Sequence, residues 1–557
     1  MKKHNLIAIL LCLAMALSLT ACGGKNSSSS SSGSDPAVSA EASVQAPPVS
    51  PDTLSLAYFS ADGLHPYTCD NTANQMISSL LYEPLFSVND SFETESCLAR
   101  SCTTTVDLAV ATKDDKDADK EDEEEKDEEK ENEEDEKPVS KRAIAGRTVC
   151  TIQLRGGVRF SDGGKLTASD VVYSLEQARL PGSIYADRLR NLQEVEAVND
   201  ETVELTLSSV DAAFELMLDI PIIREGSGEA RFPAGTGPYQ VVQKKGNASG
   251  LTRNPKWWQK GTLPVKEVGL YQVEDSDMQI FGFGSGAVSM VSTDLTGTGA
   301  LNYTGQYNVV DYPTTSMIYL GCNTHSGSCR NQNFRQVLTY AVDRETLATK
   351  MLSGHAEPAV LPVSPRSKLY NRKLAEKYNF SGKKAREAMK KNYYQGSTQK
   401  LIVNSESSFK TALAAELKKE LADVGINIEI EELTWDEFSK ALKKRNFDLY
   451  LGEVKMTSSF DLTQMLVEKG SLNYGGYKNK EMNQLLTDFA RSGGNARGPA
   501  ALKLYKAIAE HAPIIPLCFK NHSVLTHWGT DSTLTPTQQN PFYHFSQWKL
   551  TVPVKKK

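Results

Sequence analysis

The chain has 557 residues, 39% apolar and 24% charged, with 62 Lys and Arg against 69 Asp and Glu. That length accommodates about three or four ordinary domains, and the composition excludes a wholly disordered, collagen-like or small disulfide-stapled protein. The net charge of −7 is concentrated in Lys113–Lys137, which holds 17 acids against 6 lysines, so the remainder has no basic field of the kind that binds nucleic acid.

Residues 1–21 read as a leader. Lys2 and Lys3 precede the apolar run Leu6–Leu17, about twelve residues where a bilayer core needs about twenty. Leu19-Thr20-Ala21-Cys22, followed by two glycines, resembles the bacterial lipobox, which implies cleavage before Cys22 and lipidation of that cysteine. Residues 22–52, with the run Ser27–Ser32 and Pro47, Pro48 and Pro51, form a tether of about 30 Å root-mean-square reach. The expected location is therefore the outer face of the cell membrane, lipid-anchored.

The folded body is expected from residue 53. Thr53–Tyr58 alternates as a strand, and Asn74–Phe86 is partly helical in spacing. The acidic block, taken as a disordered insertion over 113–142, has no aromatic and no defined calcium-loop pattern over Lys113–Lys137. Arg147–Arg155 and Glu201–Leu207 read as strands. Between them Thr167 is placed to cap a helix, with Asp170 at its positive end. Gly282–Gly286 reads as a helix end or turn. Lys400–Asn404, Lys410–Asp423 and Ile426–Ile430 make a strand, a helix with Leu413, Leu417 and Leu421 four apart, and a strand, with Gly425 where a helix C-cap belongs. This is a βαβ crossover with parallel pairing. A helix opening at Trp435 and a strand through Phe447, Leu449 and Leu451 follow.

Removal of the leader and lipidation of Cys22 leave seven cysteines, an odd number. Cys97/Cys102 and Cys322/Cys329 are close enough in sequence to bridge, but spacing does not decide connectivity. No zinc knuckle, H-E-x-x-H, G-x-S-x-G or P-loop pattern occurs. No metal, no cofactor and no catalytic residue are therefore expected.

A series of motifs in order carries a resemblance. Leu64-His65-Pro66 and Leu81-Tyr82-Glu83-Pro84-Leu85 come first, then Arg155–Gly163 and Leu166–Leu175. Gly235-Thr236-Gly237-Pro238-Tyr239 and Arg253-Asn254-Pro255-Lys256-Trp257-Trp258 follow. Phe334–Arg344 and Pro513–Leu517 close the set. Together they resemble the bacterial extracellular solute-binding proteins of family 5, the oligopeptide, dipeptide and nickel-type receptors of ABC importers, over about 53 to 550. The resemblance implies an α/β, two-lobed periplasmic-binding-protein-like fold with hinge strands and an extra subdomain in the N-terminal half. Lobe 1 is expected at 53–310, lobe 2 at 311–515 and a C-terminal return to lobe 1 at 516–557. It further implies a non-enzymatic monomer that closes on a peptide or related small solute and hands it to a membrane permease. The open alternatives are a metal complex or polyamine as ligand, a surface sensor, and a tethered cell-wall enzyme.

In peptide-binding members an aspartate shortly after Gly-Trp pairs with the peptide ammonium. Here Glu453 stands for the tryptophan and Met456 for that aspartate. The candidate ligand residues are Asn323, Glu453, Met456 and Tyr474, with Trp435 as a wall. Trp257 and Trp258 are expected to support a turn.

Overall fold

The structure, a computed structural model, describes residues 54–108, 144–296, 303–392, 398–529 and 532–551. All lie in the unit Gln45–Lys557. The leader, Cys22, the tether and the acidic insertion lie outside the described residues.

Three sheets carry the architecture. In the first, β1 (Leu54–Phe59) pairs in parallel with β10 (Glu267–Val273), which continues antiparallel to β9 (Asn247–Arg253) and β8 (Tyr239–Lys244). The second is antiparallel, in the order β4 (Ala99–Leu108), β5 (Ala145–Leu154), β7 (Thr202–Ser209), β6 (Leu192–Asn199). Its register sets Cys150 opposite Leu205 and Ile152 opposite Val203. Thr148, Cys150, Ile152 and Leu154 are buried while the residues between them are not, the period-two signature of a half-buried sheet. A short hairpin, β2 (Phe86–Val88) with β3 (Thr94–Ser96), joins the two sheets along the chain. The helix Ala168–Ala178 packs beside the second sheet. Asp170 Oδ2 accepts from the Thr167 backbone N–H (2.8 Å) and hydroxyl (3.0 Å), so the local pattern is a helix-starting device.

The third sheet runs β11 (Met290–Thr293), β17 (Ile514–Thr526), β12 (Asn308–Cys322), β16 (Leu449–Lys455), β14 (Thr398–Asn404), β15 (Asn427–Leu433), with β13 (Ala356–Pro358) on β17. The expected βαβ unit is present: β14 and β15 are parallel, and the helix Ser408–Ala422 buries Leu413, Leu417 and Leu421 between them. Gly425 takes φ +90°, which lets the Ile426 N–H return to the Leu421 carbonyl at 2.9 Å. Both faces of this sheet are covered. Ile318, Leu320, Leu401, Val403, Leu449 and Leu451 belong to one core, and Met317, Tyr319, Ile402 and Tyr450 to another. Burial on both sides explains why these strands read as continuous apolar runs. From the C-terminal segment Trp528, Phe542, Phe545 and Trp548 join the core built on β1, β5 and β7.

In the helix Gln332–Ala341, Val337, Leu338 and Ala341 are buried as their spacing predicts. Asp343 and Arg344, just beyond it, do not pair with each other. Arg344 is fully buried and donates to the carbonyls of Pro516, Thr339 and Val342, while Asp343 caps the Thr346 N–H. The backbone N–H of Asp343 donates to Glu420 Oε2 (3.1 Å). Burial, and then the nearby Asp343 carboxylate, push the Glu420 carboxyl up to about 7 from 4.5. A carboxyl whose folded pKa is raised keeps its proton longer in the fold than in the unfolded chain, so stability falls as pH rises from 4.5 through about 7. The wild type should lose thermal midpoint over that window relative to E420Q, and midpoints measured from pH 4 to 8 check this.

The seven described cysteines are unbridged. Cys102 lies near Cys150 on the facing strand, with the Thr104 hydroxyl 3.6 Å from each sulfur.

Candidate functional site: the cleft at the crossing strands

β12 and β17 are 15 and 13 residues long, and they connect the lobes. At one end Asn308–Pro313 pairs with Asn521–Thr526, beside β11 of the first lobe. At the other Met317–Gly321 pairs with Ile514–Phe519, beside β16 of the second. Between Pro313 and Met317 the register slips, and side chains take over the backbone bonding there. Thr314 Oγ1 donates to the Lys520 carbonyl (2.6 Å), Thr315 Oγ1 donates to the Met456 carbonyl (2.6 Å), and Gln538 Oε1 accepts from the Thr315 N–H (2.7 Å). Both threonines are buried. A bulged, side-chain-laced crossing with an intact lobe on either side is hinge architecture.

A cavity of about 550 Å³ sits against this crossing. Met76, Tyr82 and Asp219 line it from the first lobe, Thr314 and His522 from the crossing strands, and Lys455 from the end of β16. A second cavity of about 410 Å³ shares Ser79, Tyr82, Pro84, Ser87, Asn540 and Tyr543 with it. The two cavities therefore adjoin.

The second chamber is framed by a buried carboxylate. Glu83 accepts from the indole N–H groups of Trp257 (3.0 Å) and Trp258 (2.7 Å) and from the Thr236 hydroxyl (2.9 Å). The Arg155 guanidinium stacks 4.5 Å over the Trp258 ring, and Asn254 Nδ2 donates to the Gly237 carbonyl (2.8 Å). Four motifs distant in sequence therefore meet at Glu83. Gly235 and Gly237 are required by approach, not by left-handed backbone. A Cβ at Gly235 would stand 2.1 Å from the Leu81 carbonyl oxygen, and one at Gly237 2.6 Å from that of Leu80.

The charges at the crossing compensate one another. Lys520, itself buried, bridges Asp294 after β11 to Glu453 on β16 (3.2 Å), and Glu453 also takes Lys410 (2.7 Å). Burial alone would push both carboxyls up, but the lysines outweigh it and hold them below their usual range. Burial holds the imidazole of His522 below its ordinary pKa, which favours the neutral ring.

None of the five residues proposed from sequence lines the 550 Å³ cavity. Asn323 is buried and serves the backbone, donating to the Phe447 carbonyl (2.9 Å) and accepting from His325 and Ser326 N–H groups. Glu453 is held between Lys410 and Lys520. Met456 is buried in the same core against which Tyr474 packs, and Tyr474 meets Tyr450 edge-on at 6.0 Å. Trp435 is 56% exposed at the start of its helix. Trp257 and Trp258 support the cleft wall through Glu83. Sequence reasoning passed over Asp219, Asp294, Lys455 and Lys520. Only Lys455 carried a signal, as the second residue beyond Glu453 on the same face of a strand.

The sequence profile described as bacterial extracellular solute-binding proteins, family 5 middle, matches residues 140–467. The oligopeptide-binding protein AppA of Bacillus subtilis is 23% identical over 453 residues, 74% of this chain and 82% of that protein. The glutathione-binding protein GsiB of Escherichia coli is 22% identical over 486 residues, covering 82% and 86%. Among solved structures, an ABC transporter substrate-binding protein, CtaP, of Listeria monocytogenes superposes with TM-score 0.66 at 20% identity, covering 90% of this chain and 99% of that one. AppA of Bacillus subtilis in complex with a nonapeptide gives TM-score 0.54 at 19% identity, covering 90% and 99%. These likenesses establish the two-lobed α/β fold.

Proposed function

The chain belongs to the bacterial extracellular solute-binding proteins of family 5, and from that premise we propose that it captures oligopeptides between its two lobes and delivers them to the permease of an ABC importer. The observation that carries the peptide reading is the room beside the crossing strands: two adjoining chambers of about 550 and 410 Å³ suit an extended chain. The names of relatives, oligopeptide-binding and glutathione-binding proteins, agree with it. The mechanism is hinge closure. The ligand bridges surfaces that are apart in the open form, so its differential affinity drives the closed state that the permease reads.

In this reading the protein is a non-enzymatic monomer, with lobe 1 at 53–310, lobe 2 at 311–515 and the return at 516–557. Residues 1–21 are removed, Cys22 carries the lipid, and 22–52 hold the body at the outer face of the membrane. Native mass spectrometry of the protein, purified without denaturation, tests the ligand class. A mass excess that fragments to a short peptide is the expected result. A metal chelate or polyamine in that peak would replace the peptide reading while leaving the family unchanged.

A further inference from the structure

Among the described residues that line the 550 Å³ cavity, the acidic and basic side chains other than His522 are Asp219, Asp294 and Lys455. The two carboxylates are already neutralised. Asp219 is 7% exposed and pairs through Oδ1 with Arg188, while its Oδ2 is buried with no hydrogen-bond partner among the described residues and is closed to a ligand from the cavity. Asp294 is held by Lys520, as described above. Lys455 is different: it is exposed in the cleft and its ammonium has no hydrogen bond or ion pair among the described residues, the nearby Asp219 carboxylate being engaged by Arg188. Two residues earlier on the same face of β16, Glu453 has both oxygens taken by lysines. The strand end thus presents a compensated anion followed by an uncompensated cation. The second chamber adds a further lysine, Lys260, and its carboxylates Glu83 and Glu95 are hydrogen-bonded within the wall.

These charges discriminate between the two ends of a peptide. An ammonium entering the cleft would compete with Arg188 for Asp219 or with Lys520 for Asp294, two carboxylates that already hold a cation, so it gains less than it would from a free carboxylate. A carboxylate needs no exchange. It meets an ammonium that has no partner, in a space where lobe closure removes water and strengthens a charge-assisted hydrogen bond.

We infer that Lys455 is the anchoring cation of the cleft and that the peptide is held through a carboxylate, not through its α-ammonium. This rests on the peptide reading above. Lys455 acts by direct contact with the ligand, and the Asp219–Arg188 and Asp294–Lys520 pairs are what an ammonium would have to compete with.

The test uses the full chain in detergent and three mixtures of synthetic tri- to pentapeptides without acidic side chains: unmodified, C-terminally amidated and N-terminally acetylated. Calorimetric titration should show amidation weakening binding about tenfold or more, with acetylation changing it less than about threefold. K455M should lose the acid-over-amide preference, and K455R, which keeps the charge, should retain it. Unmodified and amidated peptides binding equally, or acetylation abolishing binding, would overturn the inference and leave the peptide reading intact. No binding of any mixture would overturn both. Lys455 is exposed, so both variants should melt with the wild type, which separates loss of binding from loss of fold.

Discussion

Glu83→Ala should destabilise the protein by about 3–5 kcal/mol, more than any single change on the cleft surface. Glu83 is 7% exposed, and its carboxylate is the shared acceptor for two indole N–H groups and a buried hydroxyl. Truncation leaves those donors without a partner in a region packed too tightly for rearrangement. The glycines of Gly235-Thr236-Gly237 press against the Leu80 and Leu81 carbonyls, so the strand entry cannot shift to compensate. Denaturant unfolding of the two proteins measures the difference. A loss below about 1 kcal/mol would mean that water replaces the carboxylate. Because Trp258, Gln259 and Lys260 line the second chamber, loss of this support should also loosen the wall of the cleft.

Lys520→Met should cost about 3 kcal/mol at neutral pH. The lysine is 5% exposed and is the common cation for Asp294 of the first lobe and Glu453 of the second. Its removal leaves Asp294 with no cation and Glu453 with Lys410 alone. The pH dependence has a definite sign. Asp294 and Glu453 have folded pKa values lowered from 3.8 and 4.5. A lowered carboxyl contributes stability that is full above the unfolded value and is lost as pH falls through the folded one. The gap in thermal midpoint between wild type and K520M should therefore be full at pH 7 and close as the pH drops below about 4. A gap that stays constant down to pH 3 would show that the loss comes from packing of the lysine stem and not from its charge. Because Lys520 stands at the slipped register where the lobes join, it is also the side chain through which the two lobes are electrostatically coupled at the hinge.

The contrast between Lys520 and Lys455 explains why the cleft has a preference. Both are lysines at the same crossing. One is buried and saturated by two carboxylates, and the other faces the cavity unpaired. Cleft chemistry follows from which charges are left over after the hinge has satisfied its own, and that remainder is positive.

Local pattern by itself determined much of this protein. Thr167 with Asp170 started a helix, Leu413, Leu417 and Leu421 marked the buried face of another, and Gly425 ended it in the left-handed conformation. The alternation over Glu201–Leu207 delivered a strand, Thr202–Ser209, though one buried on both faces. These features depend on neighbours within a few residues, where periodicity and capping act. The order of motifs was also sufficient to assign the family. Tertiary structure alone decided what the motifs and charges do. Glu453 reads in sequence as a free carboxylate, yet its partners lie on another helix and on a strand 67 residues away. Met456 occupies a strand end that looks open to a ligand but is turned into a core, and Trp435, read as a wall of the ligand site, is mostly exposed at the start of its helix. The motif glycines read as turn residues, whereas the carbonyls that demand them belong to a helix end about 155 residues earlier. Whether a charge is spent or available is a property of space, because Coulomb and hydrogen-bond energies fall off over ångströms and take no account of separation along the chain.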